Sequence, residues 1–414
     1  MTKNEATQIF KQFRQRFLIH NPDVVYLDGN SLGRLPLQTL STIQEVVENQ
    51  WGRGLIGSWN QHWLKMVQRV RQKIATLIGA HVDEVLVADS TSINLFKLVY
   101  ASLEATSRGT DVVTDNANFP SDLYILQGLC ERSRRPAKLK IIDVTSKPPE
   151  QVLDVVLRQI SDDTKLVVLS HVHYQSGYAY SMEDVNREAA RKGVRVIWDV
   201  SHSVGAMPID VRANGCDMVV GCCYKYLNGG PGAPAFLYVR RELQSMLHNP
   251  IQGWFGAREP FSFSEVYEPM PGIEQFAVGT PNVLSLAAIE PGVGLVLEAG
   301  IDRIRHRSIE LTERLISEVD VLERDFGILV VTPKSAKYRG SHVSVQHPNA
   351  WQITQALIQD FKVIPDYREP NMIRFGITPL YTDESEIDRA VQALAIILRE
   401  QLYSKYSIER RGVT

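Results

Sequence analysis

Trp198-Asp199-Val200-Ser201-His202 and, further along, Gly221-Cys222-Cys223-Tyr224-Lys225-Tyr226-Leu227-Asn228-Gly229-Gly230 are the two stretches from which the fold can be read. The apolar run Val194–Trp198 stops at an aspartate, and the run Met218–Val220 leads to a lysine. Five more short runs of this kind occur: Val85–Ala88, Asp111–Thr114, Leu139–Ile142, Leu166–Leu169 and Ala235–Val239. Helical stretches separate them. Continuous apolar strands alternating with helices predict an α/β fold with a mostly parallel sheet buried on both faces. Such sheets hold their ligands beyond the carboxyl ends of the strands, where Asp199 and Lys225 fall.

The flanks complete the layout. An amphipathic helix is predicted over Gln61–Ala80, with Trp63, Met66, Val67, Val70, Ile74, Leu77 and Ile78 at helical spacing. Before it come a helical start, an extended Val24–Leu27 and the turn Asp28–Gly33. Glycines and prolines thicken between 227 and 292, which predicts functional loops rather than regular elements. From about residue 295 a smaller α+β domain is expected. It has a charged helix at about 301–325, strands at Ile328–Val331, Gly340–Gln346 and Asn371–Ile377, and a last helix from Glu384 to Tyr403. The expected division is therefore 1–60, an N-terminal segment belonging to the substrate entrance and small domain; 61–295, a large domain; and 296–414, a small one.

Composition narrows the class. With 414 residues, 44% of them hydrophobic and 22% charged, the chain has the profile of a globular enzyme of about two domains. A net charge of −2 argues against nucleic acid or an anionic membrane as partner. No run of about 18 apolar residues suggests a membrane span. The start, MTKNEATQIFKQFRQRF, lacks the apolar core of a signal peptide. Cys130, Cys216, Cys222 and Cys223 have no metal-ligand spacing, so reduced thiols in a cytoplasm are expected. His171 and His173 alternate along a strand and point apart, which argues against a shared metal.

A lysine and an aspartate at neighbouring strand ends suit pyridoxal phosphate. The amine holds the cofactor aldehyde as a Schiff base, and the carboxylate keeps the ring nitrogen protonated. Alone, Lys225 reads as a surface lysine, Asp199 as a turn or cap residue and His202 as a core histidine. Together, with Asn228-Gly229-Gly230-Pro231-Gly232 allowing close backbone approach, they read as a site. Ser90-Thr91-Ser92 before a helical run is an anion site or a plain N-cap. In Asn118-Phe119-Pro120-Ser121-Asp122, Phe119 stacks on a cofactor or fills the core. Arg374, in an apolar strand, needs an anion: a substrate α-carboxylate or a structural salt bridge.

These stretches, in this order, resemble the kynureninase family, fold-type-I pyridoxal phosphate enzymes of the aspartate aminotransferase superfamily. The resemblance runs from about residue 20 to 400. It includes Tyr26–Gly33, Trp51–Ile56, Ser58-Trp59-Asn60, Thr91–Phe96, Asn118–Tyr124, Trp198–Ser203, Tyr224–Gly232, Gly253–Gly256, Gly279–Asn282 and Arg374–Tyr381. Trp59 and Thr280 match its bacterial branch. The resemblance implies hydrolysis of L-kynurenine, with 3-hydroxy-L-kynurenine as a further candidate substrate, to the anthranilate and L-alanine, as in tryptophan catabolism and NAD biosynthesis. It also implies catalytic roles for Lys225, Tyr224 and Asp199. Thr91, Ser92, Phe119, Asp122, Ser170, Asp199, His202, Tyr224, Lys225, Trp254 and Thr280 would contact the cofactor. Ser31, Trp59 and Arg374 would contact the substrate. Trp254 and Thr280 would reach in from a second subunit of a homodimer. The alternatives are another fold-type-I enzyme, a cysteine desulfurase or an aminotransferase, or a non-catalytic binding protein of the same fold.

Overall fold

Residues 3–134 and 136–410 are described by the computed structural model. The outermost ends of the first and last expected segments, residues 1–2 and 411–414, lie outside the described residues. The strand β1 (Val25–Tyr26) comes first. The central sheet follows, built from β2 (Val85–Val87), β3 (Asp111–Asp115), β4 (Lys138–Ile142), β5 (Thr164–Ser170), β6 (Arg195–Asp199), β7 (Met218–Gly221) and β8 (Phe236–Val239). Its order is β2-β8-β7-β6-β5-β3-β4. The pairs from β4 through β7 are parallel, and β8 runs antiparallel to both its neighbours. All seven expected strands are in this sheet, which is mostly parallel as expected.

Alternation along each strand sends side chains to two faces. In β6, Val196 and Trp198 join the core on one side, and Ile197 joins the core on the other. Both faces are covered by helices, which is why the strands read as unbroken apolar runs. The helix Leu64–Leu77 packs its Val70 and Ile74 inward. It stops where Gly79 takes φ 70°, a left-handed conformation that glycine adopts without strain.

The small domain contains β9 (Leu329–Val330), β10 (His342–Gln346), β11 (Val363–Ile364), β12 (Asp366–Arg368) and β13 (Met372–Gly376). Four of these form an antiparallel sheet in the order β12-β13-β10-β9, and β11 pairs in parallel with β1. The N-terminal segment is divided between the two cores: Phe10, Phe13, Phe17 and Val46 pack with the large sheet, and Val25 and Leu27 with the small one. The helix Ile301–Phe326 bridges them, with Ile304 in the first core and Leu311 and Leu315 in the second.

Three expectations are corrected. Part of the Gly/Pro-rich stretch is a helix, Val283–Ala299, with Pro291 inside it. Its surface is apolar nearly all round, so it shows no amphipathic period. Gly292 serves packing, since a Cβ there would lie 2.2 Å from the Leu227 carbonyl. The last helix ends at Arg399, and a short 3-10 turn, Leu402–Lys405, takes its place. His171 and His173 lie just past the end of β5, each with its own partners. The His171 ring meets Trp198, and the His173 Nε2 lies 3.6 Å from Asp115. The helix Ala350–Phe361 and the strands β11 and β12 were not anticipated.

Candidate active site

Asp199 is the last residue of β6, and Lys225 follows the carboxyl end of the adjacent parallel strand β7. Lys225 is buried, and its Nζ lies 3.2 Å from His202 Nε2. It stands 5.8 Å from the ring centres of both Phe119 and Tyr224. Burial shifts its amine toward the neutral, nucleophilic form, opposed by the nearby Cys222 and Asp199. Burial and the Lys225 charge push the His202 imidazole well below its ordinary range, so it is neutral. Two turns hold the lysine in place. The Asn228 N–H donates to the Lys225 carbonyl at 2.9 Å, with Asn228 at φ 54°, and the Gly33 N–H donates to the Tyr224 carbonyl at 2.8 Å.

Asp199 and Asp122 form a buried carboxyl pair. Asp199 accepts from the Ser201 N–H at 2.8 Å. Burial raises the pKa of both groups, and the Asp199 charge raises that of Asp122 further. The Asp122 Oδ2 is buried with no hydrogen-bond partner. An acid pair of this kind favours a cationic group beside it. Ser170 Oγ donates to Asn118 Oδ1 at 2.5 Å, which ties the end of β5 to the turn bearing Phe119.

Thr91 and Ser92 open the helix Thr91–Ala105, capped by Ser90, whose hydroxyl accepts from the Ile93 N–H. The first N–H groups of a helix have no partner within it and favour an anion. Ser92 Oγ is 2.8 Å from Ser121 Oγ at the start of the helix Pro120–Arg132.

Arg374 is buried in β13 opposite Asp366 of β12. Its Nε and Nη2 both donate to Asp366 Oδ2, its Nη2 to Ser31 Oγ at 3.1 Å and its Nη1 to the Tyr174 carbonyl at 2.5 Å. The salt-bridge partner left open by the sequence is thus present, and Ser31 joins it by donating to Asp366 Oδ2 at 2.8 Å. Asp28, beside them, has its pKa raised to about 7 by burial and the Asp366 charge.

The remaining expected residues have other neighbours. Trp59 packs on Trp63 and on Phe255. Trp254 is 42% exposed against Phe255 and Phe261. Thr280 lines a cleft of about 740 Å³ with Phe255 and Phe261, and Trp254 lines another of about 750 Å³; neither includes Lys225. Sequence reasoning missed Asp28, Asp366, Arg368, Tyr174 and His342. The alternation of charge at 366 and 368 was the available signal for two of them.

The sequence as a whole is similar to known proteins. It is 39% identical to the kynureninase of Pseudomonas fluorescens over 99% of this chain and 98% of that one. The chain belongs to the kynureninase family. The kynureninase of Burkholderia mallei (strain SAVP1) is 40% identical over 91% of this chain and 89% of its own. The pattern of the kynureninase C-terminal domain matches residues 304–394, which hold Arg374, Asp366 and Arg368. Two solved structures share the fold at lower identity. One is an apo cysteine desulfurase from Thermococcus onnurineus NA1, with TM-score 0.81, 21% identity and coverage of 94% of this chain and 98% of that one. The other is a C-DES mutant with glycine covalently linked to the PLP cofactor, with TM-score 0.78, 19% identity and coverage of 90% and 97%. They establish a fold-type-I architecture for this kynureninase-family chain. The Lys225–His202 contact, the Asp122–Asp199 pair and the helix N-terminus at Thr91 together fit pyridoxal phosphate.

Proposed function

We propose that this chain hydrolyses L-kynurenine to anthranilate and L-alanine with pyridoxal phosphate. Near-full-length kinship with kynureninases carries the reading. The cofactor, bound through its aldehyde to an amine, acts as an electron sink that loosens bonds at the adjacent carbon.

The chain's own residues divide the remaining work. Lys225 would hold the cofactor through its amine, and the same amine, shifted toward the neutral form by burial, would be the base for the α-proton when free. Asp199 is the carboxylate for the ring nitrogen, with Asp122 beside it. Phe119 and His202, both beside Lys225, would contact the cofactor ring. Thr91 and Ser92, with Tyr224, Trp254 and Thr280, serve the phosphate. Arg374 and Ser31 receive the α-carboxylate. Burial keeps the Tyr224 phenol protonated, so it is a proton donor for the substrate γ-oxygen and β-carbon. Addition of water at the γ-carbonyl and cleavage of the Cβ–Cγ bond release the two products. 3-Hydroxy-L-kynurenine, which differs by one ring hydroxyl, is a second candidate substrate, and Trp59 is the candidate to pack on the aryl group. Trp254 and Thr280 line clefts that do not include Lys225, which supports a homodimer whose partner completes each site. Functionally the chain divides into 1–60, 61–295 and 296–414. We place the protein in the cytoplasm; among the described residues no single helix is long and apolar enough to cross a membrane.

A cysteine desulfurase is the competing reading, because that fold is shared. It requires an accessible thiolate. All four cysteines are buried and free. Burial pushes the thiols of Cys130 and Cys216 up to about 11 and about 12, and raises those of Cys222 and Cys223. The deciding experiment incubates the purified protein and pyridoxal phosphate with L-kynurenine and follows anthranilate fluorescence and alanine together. Equal release of both supports the reading. No anthranilate, with sulfide released from cysteine, would overturn it.

A further inference from the structure

Arg374 has little left to offer a substrate. A guanidinium carries five N–H groups. Two of those on Arg374 meet Asp366 Oδ2, one meets Ser31 Oγ and one meets the Tyr174 carbonyl. One N–H remains, and a carboxylate recognised at two points needs a second donor. Arg368 lies within reach of it. In the β12–β13 pair Asp366 stands opposite Arg374, and Arg368, two residues on, points to the same face. Arg368 Nη2 is 2.9 Å from Asp366 Oδ2 and 3.4 Å from Ser31 Oγ. Its Nη1 donates to the Tyr367 carbonyl at 3.2 Å, and its Nε is buried without a partner. Tyr174, whose ring meets Phe119 at 5.2 Å, feels the charge of both arginines, and so do Lys225 and His202.

We infer that Arg368 is a second guanidinium of the α-carboxylate site, with Asp366 as the positioning residue that aligns both arginines on one oxygen. This inference rests on the proposed role of Arg374. While Asp28 is protonated, one carboxylate, Asp366, lies between two guanidiniums, so the group then keeps a surplus positive charge for one incoming monoanion. The arrangement selects an amino acid with a free α-carboxylate over its ester or amide.

The test compares L-kynurenine with its methyl ester on the holoenzyme, and L-alanine with L-alaninamide by titration of the cofactor absorbance. Arg368→Gln is expected to narrow the acid-over-ester ratio in kcat/KM by about tenfold or more, mainly through KM, as befits loss of a charged hydrogen bond. It should narrow the alanine-over-alaninamide ratio in the titration as well. Arg374→Gln serves as the reference. If Arg374→Gln collapses both ratios and Arg368→Gln leaves both at the wild-type value, Arg368 does not reach the carboxylate and the inference fails alone. If neither variant changes a ratio, the Arg374 reading fails with it. Should Arg368→Gln not fold, Arg368→Lys decides. It keeps the charge but loses the planar fork, so a smaller narrowing is expected and an unchanged ratio overturns the inference.

Discussion

Lys225 Nζ lies 3.2 Å from His202 Nε2, two buried groups 23 residues apart in the chain. The contact is between a lysine whose amine is pushed toward neutrality and an imidazole that is already neutral. Lys225→Ala is therefore expected to remove both the covalent cofactor link and the α-proton base, lowering turnover by several orders of magnitude. The holoenzyme absorbance near ~420 nm, and its bleaching by borohydride, should be lost. Near-normal turnover in this variant would remove Lys225 from the role.

Arg374→Ala is expected to lose roughly 2–5 kcal/mol in kcat/KM while the cofactor band stays. Loss of the band instead would place Arg374 in cofactor binding. The variant also leaves Asp366 with Arg368 as its remaining ion-pair partner. Adding Asp366→Asn should then cost further thermal stability without recovering turnover, because Arg368 loses the carboxylate that pairs with it. Differential scanning calorimetry and steady-state rates on the two variants separate these effects.

Asp28 makes a pH prediction. Its pKa is raised to about 7 by burial and by Asp366, against the Ser31 hydrogen bond and the charges of Arg374 and Arg368. Below that pH Asp28 is neutral and the two arginines face one carboxylate; above it a second negative charge appears. KM for a carboxylate substrate should rise as pH passes about 7, and Asp28→Asn should flatten the rise. Stability follows the same sign. A raised folded-state pKa stabilises below the unfolded value, and that contribution is lost as pH rises through about 7. A wild-type-minus-variant melting difference that stays constant from about pH 5.5 to 8.5 would show that Asp28 does not titrate there.

Gly33→Ala tests the clamp on the lysine strand. A Cβ at this position would lie 2.3 Å from the Lys225 carbonyl, which is backbone and cannot swing away. Overpacking of this kind typically costs about 1–3 kcal/mol. We expect lower thermal stability and weaker cofactor retention together, read by melting and by dialysis. An unperturbed variant would mean that the Asp28–Gly33 turn does not set the lysine's place.

A mixture of Lys225→Ala and Trp254→Ala chains tests the proposed composite site. In a mixed dimer one site carries both lesions and the other neither. Under random exchange half the dimers are mixed, so activity should recover toward about a quarter of wild type. No recovery, with exchange demonstrated and the Trp254 variant inactive alone, would mean that each site is built within one chain.

The sequence by itself determined the central sheet and the pair at its carboxyl edge. Buried parallel strands need apolar side chains on both faces, so β3 to β7 announce themselves locally, and Asp199 and Lys225 mark where two of them end. The helix Val283–Ala299 was illegible for the converse reason: a helix buried nearly all round has no period. Phe119 and His202 could be named from their local motifs, but their convergence on Lys225 depends on strand order. The surroundings of Arg374 were decided only by tertiary structure. Asp366 and Arg368 share its face because β12 folds back on β13 in one register, and Ser31, 343 residues away, arrives because β1 pairs with β11. A buried arginine demands a counter-anion, which the sequence can state; which anion meets it is fixed by how distant strands pack.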